Sequence, residues 1–374
     1  MTNRLRAKNR DCKLSSCMIR FIIAIDILGE PMRLFTNAAK YISLYTVLIS
    51  VLFLARVNLV TGDAKTQSNR EPTIYIAGEG RGFARYWKNG KTVKLTDEVR
   101  FSTANSIYVS NGDVYVVGNI DDTAVCWKNG NETILNADPS KTKASANSVY
   151  VYSNDVYIAG CENGIAKYWK NGVSINLSDN TSRSSANSIF VSNGDVYVAG
   201  CETNFSPIIK KDGSRRTRYY AKYWKNGVAY NLSDGSSFSL ANSITIDGKD
   251  IYVAGIENLN AKYWKNGEPF ILSTSSGQGG RASSIFVSGS DIYVAGVEFL
   301  YLSKYWKNGV AVHITDGRLE SFVTSIFVFN DDVYIIGGES DYPGYGSSAS
   351  FWKNGKRTNI GYSLNKPNSI FIVP

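Results

Sequence analysis

The tetrapeptide Trp224-Lys225-Asn226-Gly227 is one of seven identical copies in this 374-residue chain. The copies contain all seven tryptophans, and successive copies begin 40, 42, 55, 40, 42 and 46 residues apart. They begin at Trp87, Trp127, Trp169, Trp224, Trp264, Trp306 and Trp352. A period of roughly 40 to 50 residues is typical of repeat architectures in which each unit is one small antiparallel sheet.

Four short β-rich runs surround this copy. In order, they are residues 188–191, 196–200, 221–225 and 228–232. Asn193-Gly194 separates the first two runs, and Asn226-Gly227 separates the last two. Because both central residues of a type I′ turn need positive φ, Asn-Gly between such runs indicates a hairpin. The unit is therefore predicted to be a four-stranded antiparallel meander with both tight turns at one end.

The same order recurs in six complete units and one split unit. The complete units begin at Asn105, Asn147, Asn187, Asn242, Ser283 and Thr324. Residues 73–78 match a second strand without a first, and residues 368–373 match a first strand without a second. Pairing the C-terminal strand with the N-terminal strands completes blade one and leaves no open sheet edge at the junction. The sequence thus predicts an all-β fold, a seven-bladed β-propeller with four antiparallel strands per blade.

Residues 72–374 accordingly resemble seven-bladed β-propellers. Their Tyr-Trp-Lys-Asn-Gly units are also similar to those of uncharacterised secreted repeat proteins. The resemblance implies the fold but no activity. The Trp-Asp dipeptide of WD40 repeats and the Ser-x-Asp-x-Gly-x-Thr-Trp box of sialidase-like propellers are both absent from these units.

Residues that recur in every blade are expected to be structural. A Trp at one fixed place is predicted to pack between neighbouring sheets, where burying about 200 Å² contributes up to about 5 kcal/mol per blade. A Ser beside the start of each inner strand is expected to bond a neighbouring backbone group. These serines are Ser106, Ser148, Ser188, Ser243, Ser284, Ser325 and Ser369.

Residues 1–64 are predicted to be a leader, joined to the repeats by a linker at 65–71. The run 42–55 is uncharged and mostly apolar, and its length suits the core of a signal peptide. Gly62 and Ala64 provide small residues for cleavage after Ala64. We therefore expect a secreted or extracytoplasmic protein, found in the periplasm, at the cell surface or outside the cell.

Two features of the leader leave alternatives open. Residues 1–31 would make the basic region unusually long, which fits an over-extended start with the true one at Met32. Alternatively, an uncleaved signal-anchor at residues 42–60 would tether the protein to a membrane, with the basic residues before it on the cytoplasmic side.

Charge and residue inventory narrow the class of function. Of the net charge of +9, +5 lies in residues 1–64 and +4 in the rest, which is too little to argue for nucleic acid. His313 is the only histidine and lies in the predicted fourth strand of blade six, where an edge-strand role is expected, so neither a Ser-His-Asp triad nor a histidine-based zinc site is predicted. No phosphate loop or dinucleotide fingerprint occurs, and no cofactor is expected.

The predicted binding face lies opposite the tight turns. The loops between second and third strands and the connections between blades vary in length there, as at 202–219, 298–302 and 339–349. Binding residues concentrate on variable loops held by a rigid scaffold. The candidates in these loops are Lys210, Lys211, Arg215, Arg216, Tyr301, Tyr342 and Tyr345.

Carboxylates also gather at this end of the blades. The second strands end near Glu162, Glu202, Glu257, Glu298 and Glu339. The fourth strands are followed by Asp97, Asp179, Asp234 and Asp316. A ring of oxygen ligands could hold a cation. The alternative, which we favour, is that the aspartates make Asx-turns and the glutamates are solvated strand ends, so no metal site is assigned.

The sequence favours a non-catalytic binding or scaffold propeller that engages a protein or glycan, and we expect a monomer. The main alternative is a multivalent carbohydrate-binding lectin, which requires exposed aromatic side chains at repeated positions. A glycan-active enzyme is less favoured, because no pair of carboxylates stands out at the separation such chemistry needs.

Overall fold

The computed structural model describes residues 71–374 except 137, 180, 210–214, 273–278, 299–301, 341–347 and 360–365. Side chains are described for these residues other than 204–209, 215, 216 and 359. Over this part of the chain, 28 strands form seven four-stranded antiparallel sheets. The predicted seven-bladed β-propeller is therefore confirmed.

The first four blades contain the following strands. Blade 1 comprises β1 (Thr73–Gly80), β2 (Phe83–Lys88) and β3 (Lys91–Lys94), with the last strand of the chain, β28 (Lys366–Val373). Blade 2 comprises β4 (Ser102–Ser110), β5 (Asp113–Ile120), β6 (Thr123–Lys128) and β7 (Asn131–Ile134). Blade 3 comprises β8 (Ala144–Tyr152), β9 (Asp155–Glu162), β10 (Ile165–Lys170) and β11 (Val173–Asn176). Blade 4 comprises β12 (Ser182–Ser192), β13 (Asp195–Ile209), β14 (Arg215–Lys225) and β15 (Val228–Asn231).

The remaining three blades follow the same plan. Blade 5 comprises β16 (Ser239–Asp247), β17 (Asp250–Glu257), β18 (Asn260–Lys265) and β19 (Glu268–Ile271). Blade 6 comprises β20 (Gly280–Ser288), β21 (Asp291–Glu298), β22 (Leu302–Lys307) and β23 (Val310–His313). Blade 7 comprises β24 (Glu320–Phe329), β25 (Asp332–Ser340), β26 (Ser348–Lys353) and β27 (Lys356–Asn359).

The tight turns have the predicted geometry. Asn193 and Gly194 have φ of 52° and 83°, and Asn226 and Gly227 have φ of 51° and 82°. Positive φ at both central residues is the requirement of a type I′ turn, which Asn and Gly meet with the least strain. In blades 2 to 7, which are four-stranded meanders, both tight turns lie at the same end of the sheet.

A bulge in the inner strand shapes all seven blades. In blade 3 the pairing of β8 with β9 shifts between Ala146 and Ser148, so Asn147 is the extra residue. The bulged strand approaches Gly160 so closely that a Cβ there would lie 1.9 Å from the carbonyl oxygen of Ser145 and 3.0 Å from the Trp169 ring. Only glycine fits at this point.

This bulge also explains why the inner strands are longer than the sequence indicates. The strand β4 begins at Ser102 rather than at Asn105, and β12 begins at Ser182 rather than at Asn187. The extra residue in a bulge breaks the alternation of buried and exposed side chains, so the pattern before it does not read as the same strand.

The recurring serines join the inner strands into a ring. Ser148 Oγ accepts a hydrogen bond from the backbone N–H of Ile189 in the next blade at 3.2 Å. All seven serines make the equivalent bond, at distances between 3.2 and 3.4 Å. The expectation that each serine bonds a neighbouring backbone group is confirmed. One backbone donor on the free edge of each inner strand is thereby satisfied.

The C-terminal strand closes the ring as predicted. It pairs antiparallel with β1, and Thr73 lies opposite Val373. Ser369 Oγ accepts from Ile107 N of blade 2, and Asn368 donates its side-chain amide to Ala104 O at 3.0 Å. Blade 1 thus bonds to blade 2 like the other blades.

Seven hydrophobic clusters lie between the blades, and each contains one tryptophan. Trp169 of blade 3, for example, packs with Tyr115 and Val117 of blade 2. All seven tryptophans have at most 1% of their surface exposed. The core of the propeller is therefore a circle of interfaces, each made by an indole ring and the second strand of the preceding blade.

Deleting Asn368–Pro374 should lower the melting temperature by roughly 10 °C or more, because it removes two buried isoleucines and a complete set of strand hydrogen bonds. The matched control replaces residues 205–216 with a short Gly-Ser turn, which should change the melting temperature by only a few degrees. Circular dichroism melts of the full chain provide the measurement. Equal melting curves for the deletion and the intact chain would contradict this closure of the ring.

Candidate binding surface

The propeller has two different ends, which are named here by their connections. The tight-turn face carries the turns between first and second strands and between third and fourth strands. The loop face carries the loops between second and third strands and the connections between blades.

The tight-turn face repeats one polar cluster in blades 2 to 7. In blade 3, Lys170 pairs with Asp155 at 2.8 Å and lies over the ring of Tyr157 at 5.3 Å. Asn171 donates to Asp155 at 2.7 Å and accepts from the N–H of Val156 at 2.8 Å. The Lys and Asn of the tetrapeptide therefore hold the second strand, a role that the sequence analysis missed.

These clusters set the ionisation of the aspartates on that face. Lys170, followed by Asn171, hydrogen-bonds the Asp155 carboxylate and lowers its pKa below the ordinary value of 3.8. The same partners lower the pKa of the equivalent residue in every other blade that has the cluster. Those residues are Asp113, Asp195, Asp250, Asp291 and Asp332.

The loop-face aspartates make Asx-turns. The Oδ1 atom of each accepts a hydrogen bond from the backbone N–H two residues later, at 2.8 to 3.3 Å. These residues are Asp97, Asp179, Asp234 and Asp316. The aspartates therefore shape the connections between the blades.

The loop-face glutamates are ion-paired, which differs from the expected solvated strand ends. In blade 3, Glu162 pairs with Lys167, and the two side chains are only 12% and 9% exposed. Lys167 also lies over the ring of Trp169 at 5.9 Å. The equivalent pairs are Glu202 with Lys222, Glu257 with Lys262, and Glu298 with Lys304. In blade 7, Glu339 pairs with Arg357 of the fourth strand.

Blades 1 and 2 have other residues at the position of this ion pair. In blade 2 the charges are replaced by Ile120 and Val125, which are 3% and 0% exposed. In blade 1 the end of the second strand is Gly80, and Glu98 from the blade connection pairs with Arg85 instead. Glu98 has a φ of 64°, which is costly for a residue with a side chain.

These pairs determine what the carboxylates can do. A buried lysine competes with a bound cation for the same oxygens, so a paired glutamate is a poor metal ligand. Among the described residues, no group of three or more His, Cys, Asp or Glu side chains is placed to hold a metal ion. The role of these glutamates is therefore to join neighbouring strands through ion pairs.

The insertion of blade 4 is an extension of two strands rather than an irregular loop. The strands β13 and β14 remain antiparallel out to the pairing of Ile209 with Arg215. The shorter strand β14 has 11 residues where β10 has six, so residues 203–209 and 215–218 form an arm that extends about 15 Å from the loop face. The sequence of residues 203–218 contains five basic residues and one acidic residue.

The structure locates only some of the predicted binding residues. The backbone of Arg215 and Arg216 belongs to β14 in the arm. The five glutamates lie at the loop-face ends of the blades, in the ion pairs given above. The other candidates are outside the described residues, namely Lys210, Lys211, Tyr301, Tyr342 and Tyr345.

Exposed apolar side chains on the loop face were not found by sequence reasoning. Val99 and Phe101 are 79% and 73% exposed, and Phe101 stacks on Phe83 with ring centroids 6.4 Å apart. Phe238 holds the position of Phe101 in the connection to blade 5 and contacts Tyr219 at 5.0 Å. Each phenylalanine directly precedes a buried serine, Ser102 or Ser239. Comparing the repeats at this serine would have identified both phenylalanines from the sequence.

No protein-family model matches this chain, and no curated protein sequence matches it. Among the described residues, no helix is long and apolar enough to span a membrane.

The natural apolar version of blade 2 allows a test of the ion pairs. Replacing Glu162 by Ile or Lys167 by Val alone should cost about 3 to 5 kcal/mol, because each leaves a buried charge without its partner. The double variant, which copies Ile120 and Val125, should lie within about 1 kcal/mol of the parent. Urea unfolding of all four proteins measures this coupling. A double variant as unstable as the single variants would refute it.

The tight-turn clusters predict acid sensitivity. Since their folded-state pKa values lie below the unfolded value, the six aspartates stabilise the fold fully above the ordinary Asp range. That stability is lost as the pH falls through the ordinary value towards the lowered one. The melting temperature should therefore decrease once the pH is lowered beyond about 4. Asp155→Asn should reduce this dependence, whereas Asp121→Asn, in a loop-face turn away from the clusters, should not. If the melting temperatures of all three proteins depend on pH in the same way, the clusters are not the cause of the acid sensitivity.

Proposed function

We propose that this protein is a non-catalytic, extracytoplasmic binding protein whose loop face engages a protein or a glycan. The observation that carries the proposal is the blade 4 arm, because it is the largest departure from the repeat among the described strands. It breaks the similarity of the blades at the face where the apolar side chains Val99 and Phe101 are also exposed.

The division of labour between the two faces supports this proposal. On the tight-turn face, six blades have the same cluster, and each Lys is paired with an Asp of its own blade. Because these clusters are identical and their charges are paired, they offer few features that a partner could recognise specifically. On the loop face, the blade connections and loops differ from blade to blade, and they stand on a closed scaffold. Variable segments on a rigid support favour recognition.

The charge of the arm indicates the chemistry of the partner. Residues 203–218 carry five basic side chains and one acidic one, while the other loop-face ion pairs are neutral in sum. An acidic protein surface or an anionic glycan would complement that excess. The non-catalytic assignment is supported by the carboxylates of this face, because they are engaged in ion pairs and Asx-turns.

A carbohydrate-binding lectin is the second candidate. It is favoured by Phe101 and Phe238, exposed aromatic residues at equivalent positions before blades 2 and 5. Aromatic rings offer flat apolar surfaces on which sugar rings can stack. The other five blades have Leu364, Lys143, Arg183, Gly279 and Glu320 at this position, none of them aromatic, so such a lectin would have two related sites rather than seven.

The extracytoplasmic assignment rests on the leader, which lies outside the described residues. N-terminal sequencing of the exported protein gives its test. A new N-terminus directly after Ala64 supports secretion, and a retained leader supports the membrane tether.

The arm can be tested by charge removal. Arg215→Ala combined with Arg216→Ala should weaken binding to an anionic partner by about tenfold or more, since each charge-assisted hydrogen bond contributes about 1.5 to 3 kcal/mol. The full-length protein is screened against a glycan array and against extracellular proteins of its source, and affinities are then measured by calorimetry.

Lys91→Ala combined with Lys356→Ala is the matched control, because it removes two exposed charges beside the tight turns. The control should retain the parent affinity. Equal affinity of the arm variant and the parent would contradict the assignment of the partner to the arm.

A further inference from the structure

A polar cavity opens on the loop face between blade 5 and the connection that leads to it from blade 4. Its volume is about 450 Å³, which is within the range of small-ligand sites. One wall is the blade connection with Ser236 and Ser237, and the other is the turn with Asn258 and Asn260. The backbone N–H of Asn258 donates to Phe238 O at 3.0 Å, which holds the two walls together.

The walls provide neutral hydrogen-bonding groups. The two serine hydroxyls both donate and accept, and each asparagine amide has donors and an acceptor. Asn260 uses one amide hydrogen to bond Asn258 O at 3.1 Å, which leaves its side-chain oxygen as an acceptor. Ser236 is held by the Asx-turn of Asp234. These groups are therefore positioned before any ligand arrives.

The charges at the cavity cancel. Glu257 and Lys262 both line it, and they form one of the ion pairs of the blade interfaces. The Glu257 side chain is 19% exposed and the Lys262 side chain 10%, so the carboxylate is the more accessible partner. A hydroxyl donor suits that carboxylate better than an ion of either sign, because an ion would have to displace the existing partner.

Apolar surface borders the polar groups. Ile271 lines the cavity and is 59% exposed, and Leu259, between the two lining asparagines, is 60% exposed. Phe238 follows Ser237 in the chain and is 38% exposed. A ligand that fits this cavity must therefore combine a hydroxylated edge with an apolar face.

Leu259 also has an unusual backbone. Its φ is 63° after a φ of 51° at Asn258, whereas Gly164 holds the equivalent place in blade 3. Positive φ costs a leucine roughly 1 to 2 kcal/mol. Strain of this kind is concentrated at functional sites, and glycine here would remove both the strain and the exposed side chain.

We propose that this cavity binds a neutral sugar residue. The serine, asparagine and glutamate groups bond its hydroxyls, and Ile271 contacts its C–H face. The inference rests on the proposed function, because it assigns a glycan end to one part of the loop face. It differs from the arm in ligand chemistry, since the arm is basic and the cavity is neutral.

The test uses saturation-transfer NMR and calorimetry on the full-length protein with glucose, galactose, mannose and N-acetylglucosamine. At least one of these sugars should bind with a millimolar dissociation constant. Asn258→Gly retains the turn but removes the amide, and it should weaken that binding roughly tenfold, the equivalent of one good hydrogen bond. Ile271→Ser should also weaken binding, because it removes the apolar side of the cavity, and it should change the melting temperature little because Ile271 is exposed.

Asn163→Gly is the matched control, because Asn163 has a φ of 52° at the same turn position in blade 3. It should leave sugar binding unchanged. The proposal is overturned if none of the four sugars binds, or if the control weakens binding as much as Asn258→Gly does. Arm-dependent capture of an anionic partner that persists without sugar binding would refute only this cavity. Loss of both would also remove the proposed function of the loop face.

Discussion

The whole ring depends on the close approach of each bulged inner strand to a glycine of the second strand. In blades 2 to 7, a Cβ on that glycine would lie 1.8 to 2.2 Å from a carbonyl oxygen of the inner strand. The bulge is possible because this side chain is missing. The serine after the bulge bonds the next blade, and in blades 3, 4 and 5 the glycine also makes room for the tryptophan ring. One small residue thus connects the geometry within a blade to the contact between blades.

Charges in this protein serve mainly to hold strands together. On the tight-turn face they fix the second strand to the tetrapeptide, and on the loop face they join the second strand to the third. Blade 2 has Ile120 and Val125 in place of such a pair, so the position needs matching partners rather than ions. Paired groups contribute no net charge, so the exposed apolar residues Val99 and Phe101 distinguish the described loop face, and the excess of basic residues lies in the sequence of residues 203–218.

Much of the fold could be predicted from the sequence because its rules are local and repeated. The Asn-Gly turns, the spacing of the tryptophans and the split seventh unit predicted the blades and their closure. The partner of Lys167 could not be predicted, because Glu162 approaches it only through the register of two strands. The arm was predicted to be a loop, because no feature of the sequence marks where the blade ends and the extension of its strands begins. The cavity could not be predicted either, because its walls are joined by a backbone hydrogen bond between Asn258 and Phe238, which are 20 residues apart.

The closure of blade 1 means that no covalent bond defines where the ring begins. Thr73 and Val373 are paired across neighbouring strands, so the two chain ends of the propeller lie about 5 Å apart. A linker of a few residues could join them, and the chain could then be opened at a turn such as Asn193-Gly194. Circularly permuted forms would start in a different blade while retaining every strand pair. The order of the blades along the gene is thus one of several equivalent orders for the same ring.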